Sequence, residues 1–391
     1  MSLEVISLGC RLNLAESETL RAMLPAEADL VVINSCAVTA EAVRQTRQAI
    51  RRARRDHPSA RLLVTGCAAE VERAAMAAMP EVDGLVANAA KLDPRAWNVP
   101  TTEPTLDQTR HSRAFIAVQN GCDHACTFCV IPQGRGPSRS LSISLVLREI
   151  ERHLERGARE VVLTGVDLTS WGHDLPDAPA LGQLVTAVLA AFSQLPRLRL
   201  SSLDGIEIDP LLFELLASEP RVMPHVHLSL QHGNDLILKR MKRRHLRRDA
   251  LNLASELRER RPELAVGADL IAGFPTESAA AHADNLSIIA DLNVVHGHVF
   301  PYSRRPGTPA ARMPQVDGRV IKSRAAELRS AVAAARANWL STLIGQPLAV
   351  LAERDGTGHA PGFARVQLPP ATPAGTIVTV TPTRIIEGLL A

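Results

Sequence analysis

A chain of 391 residues is long for one domain and leaves room for two or three. Hydrophobic residues make up 46% and charged residues 22%, enough apolar material for buried cores and too little charge for a disordered chain; aromatics at 3%, with one tyrosine, argue against a recognition surface of stacked rings. The net charge of +3 excludes little. Apolar runs such as Val161–Leu163 and Leu30–Ile33 fall far short of the ~20 residues that cross a bilayer. No basic stretch followed by an apolar one opens the chain, so a soluble, cytoplasmic protein without a membrane partner is expected.

Three short apolar strands come first, and each runs directly into a cysteine. Leu3–Leu8 leads to Gly9-Cys10, Leu30–Ile33 to Asn34-Ser35-Cys36, and Leu62–Val64 to Thr65-Gly66-Cys67. Helical patterns at about Leu14–Leu24 and Ala40–Arg55 lie between them, so residues 1–99 read as an α/β domain on a parallel sheet, with Trp97 packing near its end. Ligands of such sheets bind beyond the carboxyl ends of the strands, where all three cysteines fall. A second three-thiolate site is the reading this favours over buried structural cysteines.

Residues 100–113 are polar, proline-punctuated and aperiodic, as a linker would be. Strand patterns then recur at Ala114–Gln119, Val161–Thr164, Leu198–Ser201, His225–Leu230, Val266–Ile271 and Val295–Phe300, with amphipathic helices such as Ser144–Arg156 and Asp249–Arg260 between them. Six alternating strands within 114–344 imply a partial (β/α)6 barrel of the TIM type, with its chemistry at the carboxyl face. Just after the first strand comes Gly-Cys122-Asp-His-Ala-Cys126-Thr-Phe-Cys129, a C-x₃-C-x₂-C spacing. Three thiolates on one short loop suit a four-iron cluster that keeps one iron open to a ligand. The competing reading is zinc held by these cysteines and a histidine, for which His124 between the first two is awkwardly placed. A disulfide framework fits poorly with a cytoplasmic chain of this size.

Arg319–Leu343 reads as a long alanine- and arginine-rich helix. Beyond Gly345 the composition turns to prolines, glycines and short β-patterned runs, so 345–391 reads as a small all-β domain able to form a five-stranded barrel. Two basic runs stand out: six arginines within Arg44–Arg55, and seven cations without an acid within Lys239–Arg248. Each is a solvated helix face or a contact for a polyanion, with RNA the leading candidate.

The loop Cys122-x₃-Cys126-x₂-Cys129, with Phe128 before its last cysteine, resembles that of the radical S-adenosylmethionine (radical SAM) enzymes. The whole chain resembles their methylthiotransferase branch: a three-cysteine N-terminal domain, a radical SAM partial barrel and a C-terminal TRAM domain. Gly9-Cys10-Arg11-Leu12-Asn13, Glu16-Ser17-Glu18 and Asn34-Ser35-Cys36-Ala37-Val38-Thr39 look most like the threonylcarbamoyladenosine tRNA methylthiotransferases (MtaB type).

The resemblance implies two [4Fe-4S] clusters and S-adenosyl-L-methionine (SAM) as cofactors. Cys122, Cys126 and Cys129 would hold the catalytic cluster that chelates SAM, and Cys10, Cys36 and Cys67 the auxiliary cluster that carries the sulfur. It places Phe128, Thr164, Gly165, Asp167, Ser229, Gln231 and Arg243 near SAM, with Asp269 and Gly273-Phe274-Pro275 at the end of the fifth barrel strand. Gln133 departs from the pattern, standing where relatives often have an aromatic. The implied partners are tRNA, SAM and an unidentified electron-donor protein. The expected reaction is methylthiolation, at C2, of threonylcarbamoyladenosine immediately 3′ to the tRNA anticodon. Alternatives are isopentenyladenosine in tRNA, an aspartate of ribosomal protein S12, and a non-catalytic, zinc-stabilised RNA-binding protein.

Overall fold

The computed structural model describes residues 3–26, 28–98 and 112–391; residues 100–111 of the expected linker lie outside them. The chain separates into two compact units. The first takes in the described residues up to 98 together with Gln119–Arg139 and Ser303–Ala311, and the second holds 112–118, Ser140–Tyr302 and Arg312–Ala391.

The first unit is built on a parallel sheet of strands Glu4–Ser7, Leu30–Ser35, Arg61–Gly66 and Gly84–Leu85, in that spatial order. All six residues of Leu30–Ser35 are buried, as expected of a strand covered on both faces. Val31 and Ile33 pack towards helix Ala40–Asp56 with Val43 and Ile50, while Val32 packs on the opposite side with Leu20 and Met23 of helix Arg11–Met23. Trp97 closes this second core, 2% exposed, and its indole N–H donates to the Lys91 carbonyl at 2.7 Å.

The second unit contains six parallel strands among the described residues. Arg113–Ala117, Glu160–Thr164 and Arg197–Leu200 form one ladder; His225–Gln231, Ala265–Ala272 and Val294–Pro301 form another. Isolated parallel bridges, Leu198 with Val222 and Leu203 with Leu228, join the two. Side chains alternate across these strands. Val161, Leu163, Leu198, Leu200, Val226 and Leu228 join one core with the surrounding helices, whereas Glu160, Arg197, Arg199 and His225 turn inward. This is the expected partial barrel, but its lumen is charged.

Burial pushes the Glu160 carboxyl up, and the Arg199 guanidinium overcomes this and holds it below its ordinary range. Arg199 donates to it at 3.0 and 3.3 Å. The same arginines reach the C-terminal sheet. Arg197 donates to the carbonyls of His359 (3.0 Å) and Ala349 (2.6 Å), and Arg199 to that of Pro361 (3.1 Å). Phe363 stacks against His225 and His359, 4.8 Å below the Arg199 guanidinium. Arg197 and His225 begin their strands, so the C-terminal sheet sits across the amino-terminal mouth of the barrel. That sheet has six strands rather than the five expected: Leu348–Ala352, Thr357–His359, Arg365–Gln367 and Ile377–Val380 with the two-residue pairs Ile385–Ile386 and Leu389–Leu390. Helix Gly318–Thr342 precedes it.

Candidate active site

The parallel register of the first unit aligns the ends of its strands: Ser7 lies opposite Asn34, Asn34 opposite Thr65, and Ser35 opposite Gly66. Cys36 and Cys67 therefore step off the ends of neighbouring strands, and Cys10, just beyond strand Glu4–Ser7, is the cap of helix Arg11–Met23. Two glycines permit this approach. Gly9 has φ +94°, and a Cβ there would fall 2.7 Å from the Cys36 Sγ; Gly66 has φ +89°, and its Cβ would fall 2.4 Å from the Ser35 carbonyl oxygen. Ser35 completes the turn. Its hydroxyl donates to the Thr65 carbonyl (2.5 Å) and accepts from the amides of Ala68 (3.1 Å) and Ala69 (3.2 Å), which open helix Cys67–Val71.

Burial pushes the Cys36 thiol up to about 11; the Val38 amide draws it down, while nearby Cys67 and Cys10 push it further up. Burial also raises Cys67, against the pull of Arg135 and Lys91. Beneath the thiols lies a buried charge network. The Lys91 ammonium meets Glu16 at 2.5 Å, and the Arg135 guanidinium meets it at 2.9 and 3.2 Å. Arg135 also donates to Asn13 (2.5 Å) and Asn120 (2.7 Å), and Lys91 to Asn34 (3.2 Å). The three charged side chains are only 1–2% exposed. Burial alone would raise the Glu16 carboxyl; the two cations hold it below its ordinary range. For Lys91 burial wins and its ammonium is drawn down, while Glu16 holds the Arg135 guanidinium up against burial.

The second trio belongs to the same unit. The loop that follows the first barrel strand turns at Gly121, where a Cβ would collide with the Pro137 carbonyl at 1.9 Å, and the Cys122 amide donates to the Gly136 carbonyl at 3.1 Å. Backbone amides face its sulfurs: His124 donates to Cys122 Sγ and Ile131 to Cys129 Sγ, both at 3.4 Å. The Ala310 amide donates to the Thr127 carbonyl (2.9 Å), tying down the segment that carries Cys126 and the half-buried Phe128. Helix Ile131–Arg135 then packs on helix Cys67–Val71; a Cβ at Gly134 would come 3.2 Å from that of Cys67.

In the second unit, Thr164 ends strand Glu160–Thr164 and is buried, and Gly165 follows. Asp167 accepts from the Ser170 hydroxyl at 2.8 Å. Ser229 and Gln231 close strand His225–Gln231, where Gln231 takes φ +71°. Arg243, 8% exposed, donates to the Ser229 carbonyl and to Asp204, both at 2.8 Å. Asp204 is an acid that the sequence reading passed over. Burial raises its carboxyl, and nearby His245 and the Arg243 charge more than reverse that. Asp269 lies within strand Ala265–Ala272, not at its end, a correction: the strand runs on through Leu270, Ile271 and Ala272 before it turns at Gly273.

The two basic runs are less available than the sequence implies. Arg44, Arg47, Arg51, Arg52 and Arg54 each face a carboxylate. In the second run Arg243, Arg244 and Arg247 are held by Asp204, Glu207 and Asp291, and Arg240 by Thr276. Lys239 and Lys242 make no ion pair among the described residues, and Arg248 only a long one to Asp249.

Comparison with known proteins agrees with this architecture. The family described as "Radical SAM superfamily" matches residues 116–285, and the one described as "Uncharacterized protein family UPF0004" matches residues 2–87. The threonylcarbamoyladenosine tRNA methylthiotransferase MtaB of Rickettsia prowazekii is 41% identical, covering 99% of this chain and 96% of that protein. The protein of the same name from Chlamydia pneumoniae is 33% identical over 98% of this chain and 96% of its own length. The tRNA-2-methylthio-N(6)-dimethylallyladenosine synthase of Paracoccus denitrificans is 31% identical over 89% and 85%. Among solved structures, the radical S-adenosylmethionine methyltransferase TsrM from Kitasatospora setae superposes with a TM-score of 0.51 at 16% identity, over 72% of this chain and 63% of that one, a likeness of fold. Full-length identity at this level, with matches to both the N-terminal and the barrel families, shows that the chain belongs to the radical SAM methylthiotransferase family.

Proposed function

We infer that this protein methylthiolates C2 of N6-threonylcarbamoyladenosine immediately 3′ to the anticodon of tRNA. The observation that carries the substrate is the 41% identity over nearly the whole chain to a threonylcarbamoyladenosine enzyme, against 31% to a dimethylallyladenosine one.

The donor sets suit two [4Fe-4S] clusters. Cys10, Cys36 and Cys67 would hold one, and Cys122, Cys126 and Cys129 the other. Charge supports the first assignment: Lys91, Arg135 and Glu16 leave one buried positive charge in excess, and three thiolates on a dicationic iron–sulfur core carry one negative charge. At the second trio the amides of His124 and Ile131 favour the ionised thiolates. When bound, the cluster on Cys122, Cys126 and Cys129 would supply the electron that splits SAM, and the one on Cys10, Cys36 and Cys67 would carry the sulfur to be inserted. The chain's own contribution is position. Gly9, Gly66 and Gly134 admit the thiols to close quarters, and Arg135 ties the loop of one trio to the floor of the other.

Phe128, Thr164, Gly165, Asp167, Ser229, Gln231 and Arg243 are assigned to SAM on the resemblance, and the modules to 1–99, 114–344 and 345–391. An electron-donor protein completes the system. A cytoplasmic location accords with a tRNA substrate; no helix among the described residues is long and apolar enough to cross a membrane.

Mass spectrometry of tRNA nucleosides from a strain lacking the gene tests the substrate. Loss of the methylthio form of threonylcarbamoyladenosine is expected; loss of the isopentenyl form alone would reassign it. Anaerobic purification tests the chemistry: a brown protein with about eight irons is expected, and a colourless one with stoichiometric zinc would reject it.

A further inference from the structure

Three metal-ligating side chains meet inside the barrel, apart from both cysteine trios. His227, Asp269 and His298 lie on adjacent parallel strands, His225–Gln231, Ala265–Ala272 and Val294–Pro301. The register sets Asp269 opposite His298 and His227 opposite Gly267. Gly267 lets the histidine ring in: a Cβ there would fall 2.3 Å from His227 Nδ1. His227 Nε2 lies 3.0 Å, and His298 Nδ1 3.1 Å, from the same Asp269 oxygen, Oδ1. The two rings are 4.6 Å apart, and the three donor atoms all fall within 4.8 Å of one another.

We propose that His227, Asp269 and His298 form a binding site for a divalent first-row transition-metal ion. Two imidazole nitrogens and one carboxylate oxygen are the donor set of two-histidine, one-carboxylate metal centres. Ligands about 2.1 Å from one ion, at right angles to each other, stand ~3.0 Å apart, which matches both nitrogen–oxygen separations. Both imidazoles converge on one carboxylate oxygen, as on a monodentate ligand. His227 is 8% and Asp269 19% exposed, whereas His298 is 58% exposed. The site is thus walled on two sides and open on the third, where water or an anionic oxygen completes the coordination. A hydrogen-bonded His–Asp–His relay has the same two separations, and metal titration separates the two.

The test is titration of the cluster-loaded protein with Mn(II), an ion with little affinity for thiolates, read by loss of the free-ion electron paramagnetic resonance signal. One Mn(II) per chain is expected. His298→Ala, at an exposed ring, weakens binding at least tenfold without changing iron and sulfide content; Asp269→Asn abolishes it. No stoichiometric binding to the wild type, or unchanged binding in His298→Ala, overturns the proposal in favour of the relay. Iron and sulfide are measured on the same sample, so failure of cluster loading would be read separately.

Discussion

Replacing Glu16 by Gln keeps the shape of the buried network beneath Cys10, Cys36 and Cys67 and removes the carboxylate that Lys91 and Arg135 share. Lys91 and Arg135, each 1–2% exposed, are left as two buried cations 2.5 and 2.9 Å from the former carboxylate oxygens. Removing one partner of a buried ion pair costs about 3–5 kcal/mol. Lysine has an escape: it can lose its proton, which at pH 7 costs about 4.6 kcal/mol from its ordinary pKa, so the two figures agree. Lys91→Met is the control, because it leaves the paired Arg135–Glu16 contacts at 2.9 and 3.2 Å in place. We expect Glu16→Gln to destabilise the first unit by about 3–5 kcal/mol, and Lys91→Met by roughly 2 kcal/mol less. The cost of Glu16→Gln should shrink as the pH rises towards lysine's ordinary pKa of about 10.4, above which lysine is neutral in the unfolded chain too. Hydrogen exchange of the strand Leu30–Ser35 amides, in the reduced, metal-free protein, reads the opening of this unit alone. A loss below about 1 kcal/mol for Glu16→Gln, or a larger one for Lys91→Met, would refute the charge argument.

Three further outcomes follow from other parts of the molecule. Cys126→Ala should abolish SAM cleavage, whereas Cys36→Ala should leave cleavage measurable and stop sulfur insertion; equal loss of cleavage in both folded variants would contradict the division of roles. Gly9→Ala, which drives a Cβ to 2.7 Å from Cys36 Sγ, should lower iron to roughly half, the remainder belonging to the other trio. His296, drawn down to about 3 by burial and by Arg336, accepts from Arg336 and donates to the Gly362 carbonyl; the unfolded chain binds its proton first, so stability is lost as pH falls from about 6.5 towards 3, about 2 kcal/mol of it by pH 5. Urea midpoints between pH 7 and 5 should flatten in His296→Gln, and an unchanged slope would exclude His296 as the titrating group.

What was legible in the sequence was whatever depends on local period. Apolar runs a few residues long located all six barrel strands, and each cysteine of the first trio was placed from the strand before it. What was hidden depends on long-range charge pairing. Lys91 stands in an unremarkable polar stretch and Arg135 at the end of a five-residue helix; their common partner Glu16 is 75 and 119 residues away in sequence. Local composition reads such residues as solvated. The same holds for Glu160 and Arg199, which extend apolar strands with charges that only the barrel lumen and the C-terminal sheet can satisfy. The basic runs failed in the opposite sense. A window of ten residues shows the cations but not the acids that arrive from elsewhere, such as Glu72 for Arg47 and Asp291 for Arg247.

The placement of Arg135 connects these two kinds of information. It lies six residues beyond Cys129, on the helix that packs against the one opened by Cys67, and it grips Asn13 and Glu16 on the helix opened by Cys10. Its hydrogen bonds therefore join the loop of one trio to the elements that present two sulfurs of the other. A displacement of the loop would unseat the buried Arg135 guanidinium from Glu16, at a cost of several kcal/mol. Small shifts that a solvated contact would absorb are resisted here. The register of the two trios thus rests on the buried Arg135 charge contacts together with the packing of helix Ile131–Arg135 on helix Cys67–Val71.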